Sequence, residues 1–510
     1  MTINTPRPAG AALWTTRLDR GSPLPLSRQL ASALRGAIAG GSFATASRLP
    51  STRALAAELG LARSTVVGVF EQLTVEGYIA AKRGSGYFVP PRLAVPNGAA
   101  TAPAAEGAPR LLSRQAELLG RIEPPATPRQ QRPFELGYAE IDGRLMTTWK
   151  RLASRALSGR SRLDWNYGDP QGEPALRAAI AEYLAAARGV RCRPEQIVLT
   201  SGTQQGLSLA ARILIDPGAT ALVEDPCYRA TLDILRAAEA EIVPLPVDRH
   251  GLDIAAAPRL RPPPRLVYTT PSRQYPLGMA MPLDRRLALL AWAERQGVWI
   301  IEDDYESEFQ QPGQMLPSLQ GLDRAGRVIY LGTFSKLLFP SLRLGYAVLP
   351  EDLVAPFTAA RHLADRQSSG LVQAIMTEFM LGGHFARHLK RMRALYAERQ
   401  GFLTDLLARR LGGLIETSPN ESGMYLVGWL PPGGDDRAVA ARLAAAGVSA
   451  LPLSSLTLAT NRPPALVLGY TGHGKAAMAR AVARMADALK VGTGLFNSTK
   501  PDLRSVQRAG

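Results

Sequence analysis

The chain is poor in several residue types that usually announce a chemistry. Only two of its 510 residues are cysteine, Cys192 and Cys227. That excludes a disulfide framework and a four-cysteine zinc site. The five histidines show no H-E-x-x-H or comparable spacing, which argues against a histidine-rich metal site. No apolar run approaches the ~18 residues that a membrane span needs. The N-terminus lacks the charged-then-apolar pattern of a secretory signal. The expected setting is the cytoplasm of a bacterium-like cell, with no membrane partner. Lysine is scarce too, at seven against fifty-three arginines, so a lysine in an odd place is informative.

What is there belongs to a folded protein. Hydrophobic residues make up 46% and charged residues 20%, ordinary for globular chains. At ~150 residues per domain, the length accommodates about three units. The formal charge of +17 points to an anionic partner without saying where it binds. The excess is densest at the start, where residues 1–92 hold eleven Lys and Arg against four acids. This assigns residues 1–90 to a first module. Residues 91–133 are rich in Pro, Ala and Gly and form a linker, with one short helix expected at Leu111–Leu119. Over residues 134–490, helical patterns alternate with the apolar segments IVLT, ALVED, RLVYTT, VWIIED and VIYLGT. That alternation predicts an α/β domain with a mostly parallel sheet. Residues 491–510 lose periodicity and read as a tail.

In the first module, Leu26, Leu30, Leu34 and Ile38 recur every four residues and form one apolar helical stripe. Ser51 is a good N-cap for a second helix that turns Leu55 and Leu59 inward and stops at Gly60. A three-residue turn leads to a third helix, capped near Ser64, with Val66, Phe70 and Leu73 on its buried side. The pair is a helix-turn-helix. YIAAKRGSGYFV adds two short strands around a basic turn, a wing. The third helix would enter the major groove N-terminus first and present Arg63, Ser64 and Thr65. Arginine can read guanine edges, while Ser and Thr suit phosphates or bases. Arg53 can grip the backbone, and Lys82 and Arg83, with Ser85 in the same turn, would reach phosphates or the minor groove. The bland alternative is a small helical domain with a solvated basic face. The string LPSTRALAAELGLARSTVVGVFEQLTVEGYI…RGSGYFV, however, resembles the winged helix of the GntR family along its whole length, which implies double-stranded DNA as a partner. One departure is Val67, which stands where some relatives carry an extra basic contact.

In the large module, Lys336 is the only lysine between Lys150 and Lys390. It follows an apolar strand in VIYLGTFSKLLFPSLRLGY. A buried lysine is costly unless paired or used. It is either a snorkelling surface residue or an amine that condenses with an aldehyde. In a chain this rich in arginine, the first role would ordinarily fall to arginine. If the aldehyde is pyridoxal 5′-phosphate, three further parts are needed. A carboxylate must keep the ring nitrogen protonated. Asp303 in VWIIEDDYESEF is suited, at the C-terminal end of a strand, with Tyr305 two residues on for the ring hydroxyl; the other readings of EDDYESE are a solvated acidic turn or a metal cluster. The phosphate needs a cradle. In IVLTSGTQQGLSLAARIL a strand runs through a Gly turn into a helix, so Gly202, Thr203 and Gln204 bring backbone N–H groups to a helix N-terminus. Thr333 and Arg343 flank the lysine and could complete it. Finally an aromatic must cover the ring, and Tyr228 in EDPCYRA fits, its alternative being a core tyrosine.

In order, YGDPQG, SGTQQG, EDPCY, TPSRQYPLG, EDDYESEF, GTFSK and SLRLGY resemble the fold-type I aminotransferases from about residue 134 to 490. The resemblance implies a smaller lobe at about 385–490 and a homodimer with shared sites, in which Tyr167 reaches the partner's phosphate. A GntR-like winged helix, a linker and such a domain together resemble the MocR subfamily, also described as GabR-like. The fold class expected is thus an α/β, fold-type I aminotransferase-like domain behind an N-terminal winged helix-turn-helix. The resemblance implies a transcription regulator whose large domain binds pyridoxal 5′-phosphate through Lys336. It would sense an amino compound or the cofactor itself. There are two departures. Arg273 stands where relatives often have His, and Val467 where aminotransferases commonly place an arginine for the substrate carboxylate. Full transamination is thereby put in question, and an effector would be gripped by another arginine, such as Arg229 or Arg273, or would lack a carboxylate. The competing readings are a working aminotransferase with a DNA-binding-like extension and a regulator that binds no cofactor.

Overall fold

The computed structural model describes residues 18–44, 46–91, 111–123, 131–159, 165–310, 316–417 and 423–490. They fall into two compact units that part between Leu112 and Ser113.

The first unit holds α1 (Leu26–Ala39), α2 (Thr52–Leu59), α3 (Arg63–Val75), β1 (Ala80–Lys82) and β2 (Gly86–Phe88). Ser51 caps α2 as expected, its Oγ accepting from the Ala54 amide at 3.1 Å. Gly60 ends the helix in the left-handed conformation at φ +60°, which a glycine adopts without strain. Leu30, Leu34, Ile38, Leu55, Val66, Phe70 and Leu73 meet in one core, with Leu59 half-buried against it. The expected cap at Ser64 is corrected: α3 starts at Arg63 behind Ala62, with no side-chain cap. The Leu61 amide closes onto the Ala56 carbonyl at 2.9 Å, so the turn is tight and Ser64 already lies within the helix. In the wing, β1 and β2 pair antiparallel with Lys82 opposite Gly86, and the Ser85 amide donates to the Lys82 carbonyl at 2.9 Å.

The second unit opens with α4 (Arg114–Leu119), the helix expected from Leu111 on. It starts later because Ser113 is its cap, accepting from the Ala116 amide at 3.2 Å. There follow α5 (Gly143–Leu157), α6 (Pro174–Arg188), β3 (Ile197–Thr200), α7 (Thr203–Leu214), β4 (Thr220–Asp225), α8 (Arg229–Ala237), β5 (Glu241–Asp248) and β6 (Gly251–Leu252). Next come β7 (Leu266–Thr269), α9 (Leu283–Gln296), β8 (Trp299–Asp304), α10 (Leu319–Leu322), β9 (Val328–Thr333), β10 (Gly345–Val348), α11 (Glu351–Asp365) and α12 (Gly370–Leu381). The unit closes with α13 (His384–Leu411), β11 (Glu416–Thr417), β12 (Tyr425–Trp429), α14 (Asp436–Ala445), β13 (Leu451–Pro452), β14 (Ala465–Gly469) and α15 (Lys475–Lys490). Helix α4 packs on α8, and Arg114 pairs with Glu239 at 2.7 Å, so it belongs to this unit. The linker segments 92–110 and 124–130 and the tail 491–510 lie outside the described residues.

The main sheet has the order β3-β10-β9-β8-β7-β4-β5-β6. The five expected strands are β3, β4, β7, β8 and β9, and β9-β8-β7-β4-β5 run parallel. The sequence reading missed β10, which lies antiparallel between β3 and β9. Because helices cover both faces, these strands read as unbroken apolar runs. Ile300 packs into one core and its neighbour Ile301 into the other.

A second, antiparallel sheet, β11-β12-β14-β13, carries the smaller lobe. It is built from two stretches of chain. Residues 131–140 join it, with the Ser449 amide on the Pro133 carbonyl and the Gly469 amide on the Phe134 carbonyl, both at 2.9 Å. A Cβ on Gly469 would stand 2.5 Å from the Glu135 carbonyl oxygen, so glycine is what lets this segment lie so close. A polar clasp joins the lobes. The Asp225 carboxylate accepts from the amides of Leu458 (2.9 Å), Ala459 (2.8 Å) and Thr460 (2.8 Å). Among the described residues no helix is long and apolar enough to cross a membrane.

The first unit's small core makes it sensitive to a single cavity. Phe70→Ala removes a fully buried ring and is expected to cost about 3–5 kcal/mol. Thermal melts should show the first unit unfolding at lower temperature while the second unit's transition stays put.

Candidate functional site

Strands β4, β7, β8 and β9 end at one edge of the sheet, in Asp225, Thr269, Asp304 and Thr333. Ligands in open α/β sheets gather at such an edge. The acids of β8 divide their duties there. Glu302 accepts the amides of Leu319 and Gln320, each at 2.9 Å. Asp304 pairs with Arg188 at 2.8 Å and accepts from the Tyr330 hydroxyl at 2.7 Å. Burial opposes its ionisation, but the Arg188 charge and the Tyr330 bond outweigh it and hold its carboxyl below the usual range. Asp303 points to the opposite face of the strand. Its Oδ2 accepts from the Tyr268 hydroxyl at 2.7 Å, and its Oδ1, though buried, has no partner. Burial above all pushes its pKa up to about 7. Three neighbouring acids thus serve three separate tasks, and among the described residues no His, Cys, Asp and Glu cluster could hold a metal ion.

Lys336 lies three residues past β9 between the buried side chains of Phe334, Leu337 and Leu338. Desolvation pushes its amine below the usual lysine range, against the pull of Glu306 and Asp303. Space for the amine comes from Gly137, far away in sequence. A Cβ there would stand 2.5 Å from Lys336 Nζ, and its φ of +87° also favours glycine.

Beside the lysine, Glu306 forms a buried ion pair with Arg273. Arg273 also donates to the Tyr425 carbonyl at 3.2 Å and lies 4.9 Å over the Tyr425 ring. The Tyr305 hydroxyl meets the Tyr425 hydroxyl at 2.6 Å and donates to the Arg273 carbonyl at 3.2 Å. Tyr275 sits edge-on to Tyr228, Tyr305 and Tyr425 at 5.5, 6.0 and 5.7 Å. The result is a tyrosine wall drawn from both lobes. Gly202 caps α7 at φ +125°. A Cβ on it would be 3.7 Å from Thr333 Oγ1 and 3.9 Å from Arg343 Nη1. Thr203 and Gln204 begin the helix behind it. A helix N-terminus with a guanidinium beside it is a ready oxyanion cradle.

The sequence-predicted residues Lys336, Asp303, Tyr305, Tyr228, Gly202, Thr203, Gln204, Thr333 and Arg343 therefore all lie at this one strand edge. Tyr167 lies apart, 76% exposed on the surface, with the Arg366 guanidinium 3.8 Å over its ring. The idea that Arg273 grips an effector is corrected, because Glu306 already neutralises it. Arg229 faces Asp233 at 3.8 Å along its own helix. Val467 is fully buried in β14 opposite Val427. Sequence reasoning missed Gly137, Tyr268, Tyr275, Glu306 and Tyr425. The string YESEF carried a hint of Glu306, but nothing local marks Gly137, whose role depends on a contact two hundred residues away.

In the first unit, Arg53, Arg63, Ser64, Lys82, Arg83 and Ser85 are exposed and Thr65 is half-exposed. Arg35 is bound bidentately to Glu76 at 2.7 and 2.6 Å, whereas Arg53, Arg63 and Arg83 have no carboxylate partner among the described residues. The Lys82 ammonium rests 4.9 Å from the Phe88 ring centre, which steadies it at the wing tip. Val67 is half-buried on α3 and offers no polar contact.

The family model for aminotransferase class I and II matches residues 134–485. The model for bacterial regulatory proteins of the gntR family matches residues 26–89. The probable rhizopine catabolism regulatory protein MocR of Rhizobium meliloti is 40% identical over 89% of this chain and 92% of its own length. The chain belongs to the MocR-type GntR regulators. Among other relatives, the regulator TauR of Rhodobacter capsulatus is 35% identical over 93% of this chain and 98% of that protein. The pyridoxine biosynthesis transcriptional regulator PdxR of Corynebacterium glutamicum is 30% identical over the same shares. The α-aminoadipate aminotransferase LysN of Thermus thermophilus shares the fold at TM-score 0.65 and 28% identity, covering 71% of this chain and 93% of that one. This MocR-type chain is thus a GntR-type transcription regulator with an aminotransferase-like domain of fold-type I.

The position of Asp303 gives a pH test. Its folded pKa of about 7 lies well above the ordinary 3.8, so the ligand-free protein is penalised as pH rises toward 7 and beyond. Asp303→Asn should therefore melt higher than the parent at pH 8, with the gap closing as pH falls from about 7 toward 4. A gap that widens on acidification would mean that the carboxylate is stabilised in the fold.

Proposed function

We propose that this MocR-type regulator binds double-stranded DNA through its first unit and holds pyridoxal 5′-phosphate in its second, sensing an amino compound or the cofactor itself. The observation that carries the cofactor reading is Asp303 Oδ1, a buried carboxylate oxygen without a partner, in a site that also holds a desolvated lysine amine. Leaving such an atom unsatisfied is costly, and a protonated ring nitrogen would satisfy it. When bound, the cofactor supplies an aldehyde for Lys336 and a ring that accepts electrons. The lowered pKa of Lys336 leaves more of its amine unprotonated and able to attack. Gly202, Thr203, Gln204, Thr333 and Arg343 would hold the phosphate, and Tyr228 would cover the ring. Tyr305 would share its hydroxyl between the ring and Tyr425. Tyr167 is exposed as it would have to be to serve the partner subunit of a homodimer.

Sensing is favoured over turnover by the residues at positions 467 and 273. Val467 is apolar, and Arg273 is neutralised by Glu306, so neither offers a cation to an amino acid's α-carboxylate. An effector shifts the regulator only if it binds two DNA-binding arrangements with different affinity. On the DNA side, Arg53, Arg63, Ser64, Thr65, Lys82, Arg83 and Ser85 form the contact set, and the protein acts in the cytoplasm. The other reading, a working aminotransferase with a DNA-binding-like extension, draws on the Lys336–Asp303 arrangement.

Two measurements test this. The protein loaded with pyridoxal 5′-phosphate should show a visible absorbance band that Lys336→Ala abolishes. An amino donor should shift that band once, and sustained turnover with a keto acid would overturn the sensing reading. On DNA from upstream of its own gene, affinity should fall steeply with salt. Arg63→Ala should weaken binding by about 1–3 kcal/mol and relax sequence preference.

A further inference from the structure

A second concave site lies in the large unit. Helices α5 and α13 both begin at a cleft of about 900 Å³, lined by Asp142, Arg144, His384, Arg387, His388 and Arg391 among others. The helix starts direct their positive ends toward it, and α13 has no side-chain cap. Asp142 is the only acid in the lining, and both its oxygens are engaged. Oδ1 caps α5 by accepting the Leu145 amide at 2.6 Å, and Oδ2 pairs with Arg391 at 3.2 Å. Arg144 and Arg387 are exposed and have no carboxylate partner among the described residues.

His384 shows what is missing. The Arg387 guanidinium approaches its Nδ1 at 3.0 Å, and the Arg151 guanidinium approaches its Nε2 at 3.2 Å. A neutral imidazole has a lone pair on only one of these nitrogens. Whichever tautomer is present, the other contact sets N–H against N–H. An anion in the cleft that takes over the Arg387 donors removes the conflict and leaves Nε2 as the acceptor for Arg151.

We propose that this cleft is an oxyanion-binding site that takes a phosphate monoester, with the phosphate at Arg144, Arg387 and His384. Arginine forks match phosphate geometry, and the volume leaves room for an organic body beyond the phosphate. Such a ligand would sit one helical turn from His388, whose buried ring contacts the carbonyl of Leu337 through Nε2 at 2.9 Å. Leu337 is the residue after Lys336, so the cleft abuts the lysine loop from behind.

The test is calorimetry on the full chain with inorganic phosphate as the probe. Arg343→Ala serves as the background, which weakens phosphate binding at the α7 cradle. In that background a saturable one-to-one heat is expected. Adding Arg144→Ala and Arg387→Ala should weaken it by about tenfold or more, while Arg144→Lys and Arg387→Lys should retain most of it. Circular dichroism checks that each variant is folded. No saturable heat in the Arg343→Ala protein, or heat indifferent to the loss of both arginines, would overturn the assignment. So would a phosphate-independent change in molecular mass on substitution, which would make the cleft an interface between copies.

Discussion

The second unit depends on keeping several charges out of water at one sheet edge. A carboxylate or ammonium moved into the interior is costly unless it is paired or hydrogen-bonded. The fold meets this group by group. Arg188 and Tyr330 hold Asp304, two backbone amides hold Glu302, and Arg273 holds Glu306. Asp225 is satisfied by three amides of the smaller lobe. Asp303, Asp304 and Glu308 each keep a buried oxygen without a hydrogen-bond partner, and Asp303 is the one of these whose charge also acts on Lys336. Lys336 is desolvated in the same field. The proposed cofactor site rests on these two groups together.

Much of this was legible in the sequence, for identifiable reasons. The doubly covered strands read as apolar runs, so IVLT and VIYLGT announced themselves. A lysine among so many arginines drew attention to position 336. The Ser51 cap and Gly60 stop fixed α2 because both act locally. What stayed hidden was non-local. Nothing near Gly137 says that a lysine amine will occupy the place of its missing side chain. Nothing in the segment RPFELGYAE says that it will lie along the small-lobe sheet. Strand β10 was missed because GYAV is short and follows a Gly- and Pro-punctuated loop. Ser64 was a plausible cap, and only the tight Leu61–Ala56 closure moves the helix start ahead of it.

The same geometry bears on the proposed preference for sensing over turnover. In the buried strand β14 a cation at position 467 would need its own counter-charge, and Val427 opposite it supplies none. Arginine at position 273 is not a substitute, because its guanidinium is enclosed by Glu306 and the Tyr425 ring and carbonyl. Breaking that pair to bind a carboxylate would leave Glu306 buried and uncompensated, which costs several kcal/mol. The local electrostatics therefore oppose one class of ligand as firmly as they favour another.

Both lobes meet at the tyrosine wall. Tyr425 comes from β12 in the smaller lobe, while Tyr228, Tyr275 and Tyr305 come from the larger one. A molecule seated against Lys336 must touch both sides, so its affinity depends on how they are set. The Asp225 clasp resists any change in that setting, since releasing it exposes or orphans three amides and a carboxylate at once. A ligand that fits only one setting gains the difference in binding free energy as leverage on the other. Aminotransferase-like architecture suits a sensor for this reason. On the proposed reading, lobes that could position a substrate for chemistry would also convert occupancy into a preference between two arrangements, and that needs no arginine at position 467.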